Sequence, residues 1–253
     1  MRKIVLIPVF NEEETLLSVL EPLATQADQI VIVDDGSADR SLVLAQEYAR
    51  RNHHVDVLHL PQNHGMSTAL REGFEHLASQ LQRGKLAPED ILLTLDADGQ
   101  HDSGEIRGLC DHMEREALDV ALTRRDFGLY PFHKRVGNLL MTVWGSLCSG
   151  HRYYDVESGF RALRLKVLPE LLAYYTGYRY SCAQEIAVIT ARLGFRVDNR
   201  FVTVIKLYRS QTGVRDVIIN AFWGLLASAR STLSLKVGRR PALARLVTSS
   251  ESL

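Results

Sequence analysis

Short apolar runs recur through the first half of the chain, each closed by a polar turn. Ile4–Ile7, Ile30–Val33, Val55–Leu60, Ile91–Leu95 and Asp119–Leu122 have the length and apolar continuity of buried strands. Between them lie segments with apolar residues at helical spacing. The first opens at Asn11, a plausible N-cap with Glu14 completing a capping box, and runs toward Gln26. Others span about Asp39 to Arg51, Met66 to Leu81 and Ser103 to Arg115. Strand and helix alternate, which predicts an α/β fold with a mostly parallel sheet and helices on both faces.

Ligands of such sheets sit outside the carboxyl ends of the strands. Three polar turns fall there: Pro8–Asn11, Asp34-Asp35-Gly36-Ser37 and Asp96-Ala97-Asp98-Gly99. Any one alone reads as an ordinary turn, because Asp, Gly and Ser are common turn formers. Together they predict one crevice. Asp96 and Asp98, one residue apart at a strand end, can place oxygens around a hard divalent cation, which takes one or two carboxylates and fills its shell with water and substrate phosphate.

After Thr123 the alternation stops. Arg124-Arg125 opens a polar, aromatic stretch, and Pro131–Gly150 predicts an apolar helix with Leu139, Leu140, Val143, Trp144 and Leu147 at helical spacing. Asp155–Leu163 reads as a strand, Lys166–Tyr174 and Ser181–Leu193 as helices, and Arg196–Tyr208 as strand-like. From Asp216 a last amphipathic helix carries Ile218, Phe222, Leu225 and Leu226 on one stripe, followed by a basic tail. The expected division is a catalytic domain over residues 1–210 and a C-terminal amphipathic helix and basic tail over 211–253.

The chain has 253 residues, 46% hydrophobic and 24% charged, with net charge +0. That suits a soluble globular domain, and nothing in the overall balance argues for a nucleic-acid partner. Cys110, Cys148 and Cys182 are odd in number and widely spaced, as expected of free thiols in a reducing compartment. The apolar start meets Pro8 and then Asn11-Glu12-Glu13-Glu14, which reads as a first strand rather than a leader. No apolar run reaches the roughly 18 to 20 residues that span a bilayer.

The ordered set Ile7-Pro8-Val9-Phe10-Asn11-Glu12, Val33-Asp34-Asp35-Gly36-Ser37, Asn63-His64-Gly65 with Ala69 and Gly73, Asp96-Ala97-Asp98-Gly99-Gln100-His101 and Ser158-Gly159-Phe160-Arg161 resembles the family 2 glycosyltransferases of GT-A (Rossmann-like) fold. Within them it looks most like dolichol-phosphate mannose synthase and related polyprenyl-phosphate glycosyltransferases. The resemblance covers about Lys3 to Tyr208. It departs at Met66, where relatives usually carry lysine, and at Asp102, where they often carry proline.

The resemblance implies a metal-dependent, inverting hexosyltransferase. Its donor is a nucleotide-diphospho-sugar, GDP-mannose first and a UDP-sugar next, and its cofactor is Mg²⁺ or Mn²⁺. Asp98 is the first candidate metal ligand and Asp96 the second, the latter through water or by touching the ribose. Gln100 is expected at the diphosphate or metal shell. Pro8, Asn11, Glu12 and Gly36 would frame the nucleotide. Asp34 or Asp35 would hold the nucleoside, with Asp35 favoured by analogy and Asp34 open to a helix-capping role. For a polyprenyl-phosphate acceptor, already anionic, arginines would supply orientation and charge balance. The candidates are Arg124, Arg135, Arg161 and Arg209.

An alternative acceptor is a sugar hydroxyl of a glycan or glycolipid, which needs a base such as Glu185 or Asp155. His101 could orient the metal shell or acceptor. A different class of reading is a nucleotide-sugar binding protein without transfer activity. The apolar helices with flanking basic residues suit either a lipid interface or plain core packing. The expected place is the cytoplasmic face of the membrane, held peripherally, with a separate membrane-anchor protein as a possible partner.

Overall fold

The computed structural model describes residues 1–126, 132–177 and 181–204, together with Phe222, Leu225, Leu226, Ala229, Thr232 and Leu233. Five strands come first with their helices: β1 (Lys3–Val9), α1 (Leu16–Leu23), β2 (Gln29–Asp35), α2 (Ser41–Arg51), β3 (Val55–Leu60), α3 (Met66–Gln82), β4 (Ile91–Thr94), α4 (Ile106–Arg115) and β5 (Val120–Leu122). There follow β6 (Arg124–Arg125), α5 (Phe132–Ser149), β7 (Arg161–Arg164), α6 (Leu168–Leu172), α7 (Cys182–Arg192), β8 (Val197–Asp198) and β9 (Val202–Thr203).

Seven strands form one sheet in the order β3-β2-β1-β4-β7-β5-β8, and β6 pairs with β9 separately. Pairing is parallel except that β7 lies antiparallel between β4 and β5. The expected α/β architecture with a mostly parallel sheet is therefore present. Ile4, Leu6, Val31, Val33 and Leu92 face a core shared with α3, α6 and α7. Val5, Ile7, Ile30, Ile32 and Leu93 face the opposite core with α1, α2 and α4. Both faces are covered, so the strands are apolar throughout instead of alternating. The strand order reverses direction between β1 and β4, which makes the carboxyl ends of β1, β2 and β4 the binding crevice of this topology. Pro8 fits within β1 because the β4 ladder ends at Leu6, so no N–H is needed on that side beyond it.

Three expectations change. Helix α1 starts at Leu16 rather than near Asn11, because Asn11 takes a left-handed backbone (φ 54°) and is used in a loop contact. The expected strand from Asp155 begins only at Arg161. Residues 155–160 form a loop whose polar groups Asp155 and Ser158 are buried in specific contacts. The strand-like stretch from Arg196 divides into β8 and β9, and its continuation to Tyr208 lies outside the described residues. Most of the 211–253 helix and tail also lies outside them.

Candidate active site

The first two turns are laced together. The Asn11 amide donates to Ser37 Oγ (3.0 Å), and Asn11 Oδ1 accepts from the Ala38 amide (2.8 Å). The Glu12 amide donates to Ser41 Oγ (2.8 Å). Gly36 is required twice over, by φ +69° and because a Cβ there would lie 2.5 Å from the Gln62 backbone carbon. The end of β3 thus closes directly over the β2 turn.

The two aspartates of that turn do different work. Asp35 accepts the His64 amide at 2.9 Å and the Gly65 amide at 2.7 Å, one on each oxygen, so both oxygens hold the turn before α3. Its pKa is pushed up by burial, with those two amides pulling the other way. Asp34 is fully buried. Its Oδ2 accepts the Ser37 amide (3.2 Å) and meets His59 Nδ1 (2.9 Å), while Oδ1 has no hydrogen-bond partner. That oxygen is both buried and unpaired, so a nucleoside N–H or hydroxyl reaches it only if the side chain or the turn shifts. Of the pair, Asp34 is the one that keeps an unsatisfied acceptor.

Beyond β4 the chain turns at Gly99 (φ +73°). Asp98 accepts from the Gln100 amide (3.0 Å) and from Gln100 Nε2 (2.6 Å), so Gln100 fixes its carboxylate. Asp96 lies directly over Gly159: a Cβ on Gly159 would sit 1.9 Å from Asp96 Oδ2. The Ser158-Gly159-Phe160-Arg161 stretch is tied in place by Thr94 Oγ1 donating to the Gly159 carbonyl (2.7 Å) and by Thr123 Oγ1 donating to the Phe160 carbonyl (2.7 Å). The glycine of that motif is a cradle for the first carboxylate of the pair.

Both carboxyls have raised pKa values. Burial is the main cause for each, and the charge of Asp96 adds to the rise at Asp98, while Arg161 and Arg125 oppose it at Asp96. Arg161 is only 2% exposed and its Nε has no hydrogen-bond partner. It is therefore an internal counter-charge. His101 packs on Phe160 with ring centroids 5.7 Å apart; burial lowers its pKa to about 4, and its Nδ1 has no partner. Two crowded carboxylates with incomplete charge balance fit a divalent cation. Among the described residues no group of three or more His, Cys, Asp or Glu side chains could hold a metal by itself, so substrate and water oxygens would complete the shell.

The raised values set a pH dependence. A carboxyl whose native pKa exceeds its unfolded one contributes native stability at low pH that is lost as pH rises through the native value. Cation binding needs the ionised form and gains over that same interval. The melting temperature without metal is thus expected to fall as pH rises above the usual carboxylate range, while the increment from Mn²⁺ grows. Paired thermal melts across that range check both signs.

The remaining candidates separate. Arg124 is exposed on β6 and Arg135 is exposed on α5. Arg209 lies outside the described residues. Arg125, which sequence reasoning passed over, binds buried Asp155 through its amide (3.0 Å), Nε (2.8 Å) and Nη2 (3.0 Å), and reaches Asn138 of α5 (2.9 Å). Asn199 was also missed. Its Oδ1 accepts the Tyr154 and Asp155 amides, and its Nδ2 donates to the Leu122 and Asp155 carbonyls. Nothing in the sequence marks it, because its partners are between 44 and 77 residues away.

Glu185 is fully buried and accepts from the Thr176 amide, Thr176 Oγ1 and Ser181 Oγ, each at 2.5 Å. It clamps the segment ahead of α7. Glu185→Gln is expected to cost roughly 1–3 kcal/mol of stability while leaving donor affinity unchanged. Chemical denaturation alongside calorimetric titration separates the two.

The family model for glycosyl transferase family 2 matches residues 4–185. The chain is 28% identical to an uncharacterized protein of Methanocaldococcus jannaschii over 208 residues, covering 79% of this chain and 87% of that one. It is 30% identical over 175 residues to the undecaprenyl-phosphate 4-deoxy-4-formamido-L-arabinose transferase of Proteus mirabilis, covering 66% of this chain. It spans about half (50%) of that transferase's length. Among solved structures, glucosyl-3-phosphoglycerate synthase of Mycobacterium tuberculosis, crystallised with Mn²⁺, UDP and phosphoglyceric acid, superposes with TM-score 0.66 at 16% identity over 91% of this chain and 78% of that one. The fold is that of the GT-A glycosyltransferases. With the family model running from β1 into α7 across all three polar turns, the chain belongs to glycosyl transferase family 2 and is a glycosyltransferase.

Proposed function

We propose that this enzyme moves a sugar from a nucleotide-diphospho-sugar onto a polyprenyl phosphate with inversion at the anomeric carbon. The observation that carries the reading is the half-buried Asp96–Asp98 pair, its first carboxylate cradled by Gly159, at the sheet's switch point beside the Asp34 turn. The acceptor phosphate oxygen forms the new bond to the anomeric carbon. The bond to the diphosphate breaks with its electron pair leaving on the nucleotide. A Mg²⁺ or Mn²⁺ ion held by Asp98 and Asp96 would neutralise that charge as a Lewis acid. Gln100 keeps Asp98 aimed, Asp34 receives the nucleoside, and the Asn11 turn closes the nucleotide side.

Support for a lipid-phosphate acceptor comes from the named activity of the Proteus relative and from the state of the two candidate bases. Asp155 is ion-paired to Arg125, and Glu185 is used up in its clamp. A hydroxyl acceptor needs a free base, whereas a phosphate does not. GDP-mannose is the first donor to try and a UDP-sugar the second, since the structural neighbour binds UDP. The reaction would take place at a membrane surface on the cytoplasmic side, where nucleotide-sugars are made available.

The test incubates the protein with Mn²⁺ or Mg²⁺, radiolabelled GDP- and UDP-sugars and short polyprenyl phosphates, and follows label into the organic phase. Metal-dependent label there names the donor and establishes the acceptor class. Donor binding without lipid product sinks the polyprenyl-phosphate reading and points to hydroxyl acceptors.

A further inference from the structure

Helix α5 is inside out for a water-soluble fold. The positions it buries against the protein are small or polar, Thr142, Gly145 and Ser149, with Met141 and Trp144 half-buried at the margin. Gly145 sets a close approach, since a Cβ there would lie 2.8 Å from Gln184 Oε1 on α7 and 3.2 Å from Val156. Its outward side is apolar. Phe132, Val136, Leu139, Leu140, Val143 and Leu147 are between 39% and 81% exposed. At 100° per residue these six fall within an arc of about 100°. A helix at a water-facing surface normally turns such a stripe inward. Small residues packed inward with branched apolar ones outward is the arrangement of a helix whose surroundings are lipid.

Further exposed apolar residues lie in the C-terminal part of the chain. The described residues Phe222, Leu226 and Leu233 are each helical and 48% to 66% exposed. Thr232 Oγ1 donates to the Cys148 carbonyl at the end of α5 (3.3 Å), which brings Thr232, the neighbour of Leu233, against that end of the helix. The ends of the patch are cationic. Arg135 is exposed near the start of α5. Just past its end, exposed Tyr154 lies between Arg124 and Arg152, each guanidinium 5.4 Å from the ring centre. α5 contains no Asp or Glu.

We propose that this face docks the protein on an anionic lipid bilayer, with α5 lying in the interface plane and the Arg124–Tyr154–Arg152 stack at the headgroups. Arginine stems and tyrosine rings both suit that layer, with apolar bodies and polar tips. A second copy of the chain is the poorer occupant. An isologous contact would set one cationic end against the other, whereas anionic headgroups satisfy both. No helix among the described residues is long and apolar enough to cross a membrane, so the docking is along the surface. The lipid-acceptor reading gives this surface its use, but the two are separable: vesicle binding can hold while lipid transfer fails.

The experiment is flotation of the full chain with vesicles of phosphatidylcholine, with and without phosphatidylglycerol. Wild type is expected to float with the mixed vesicles. Leu140→Glu/Leu147→Glu is expected to bind at least about a hundredfold more weakly, because two leucines are withheld from the apolar phase. Arg152→Glu should weaken binding about fivefold to tenfold, and only where phosphatidylglycerol is present. Val43→Glu, exposed on α2, serves as the control that floats as wild type. Calorimetric donor binding must be unchanged in each. If the double variant loses its far-UV helical signal, Leu139→Glu alone replaces it, with binding at least about tenfold weaker expected. The proposal is overturned if wild type stays with neither vesicle. It is equally overturned if light scattering shows a dimer that the double variant dissolves while vesicle binding persists.

Discussion

Asp98→Ala is expected to slow transfer by about a thousandfold or more, with the protein still folded. The carboxylate is held by two contacts from Gln100 and by no partner that it in turn supports in the core. Its removal therefore costs little packing. The charge it would bring to a bound cation is another matter. Lewis-acid stabilisation of a leaving diphosphate amounts to several kcal/mol, and about 4 kcal/mol corresponds to a factor near 10³. Relief of repulsion at Asp96 should even raise the melting temperature without metal, since each carboxyl disfavours its neighbour's charge. The measurement is kcat under saturating Mn²⁺ together with a melt in chelator. Full activity in the variant would remove the pair from the chemistry.

Gly159→Ala is expected to disable the same site from the opposite side. The backbone at Gly159 has no positive φ, so alanine is conformationally acceptable there. The added carbon instead lands 1.9 Å from Asp96 Oδ2 and 2.5 Å from its Cγ. Asp96 must swing away, or the motif must shift against Thr94 and Thr123. Overpacking of this kind costs roughly 1–3 kcal/mol of stability. Metal-dependent turnover should drop about a hundredfold or more, since misplacement by an ångström is enough for that. Gly137→Ala is the matched control, because nothing lies within 4 Å of the added carbon. In an Asp96→Ala background, Gly159→Ala should cost little further activity, as two changes acting through one group are not additive. Additive losses would show that the glycine acts elsewhere.

The sequence alone determined the alternation of strands and helices, and with it the layered sheet. Apolar continuity in Ile4–Ile7 or Ile30–Val33 reports burial on both faces directly. It also placed the Asp34, Asp96 and Asn11 turns at strand ends, because these residues stop strands wherever they occur. Only the tertiary structure decided what each polar group faces. Asp34 meets His59 because parallel register sets the two residues opposite each other, and no local rule fixes that register. Asp155 was indistinguishable from a strand's first residue until Arg125 and Asn199 closed on it. Gly159 sat within the expected Asp155–Leu163 strand, and only the fold set Asp96 across it. The direction of α5 is the clearest case. Its stripe is legible from Leu139 to Leu147, but a period of 3.6 states that one face is apolar, not which medium meets it. The close approach of Gly145 to Gln184 settled that, by committing the small face to the protein and leaving the apolar one outside.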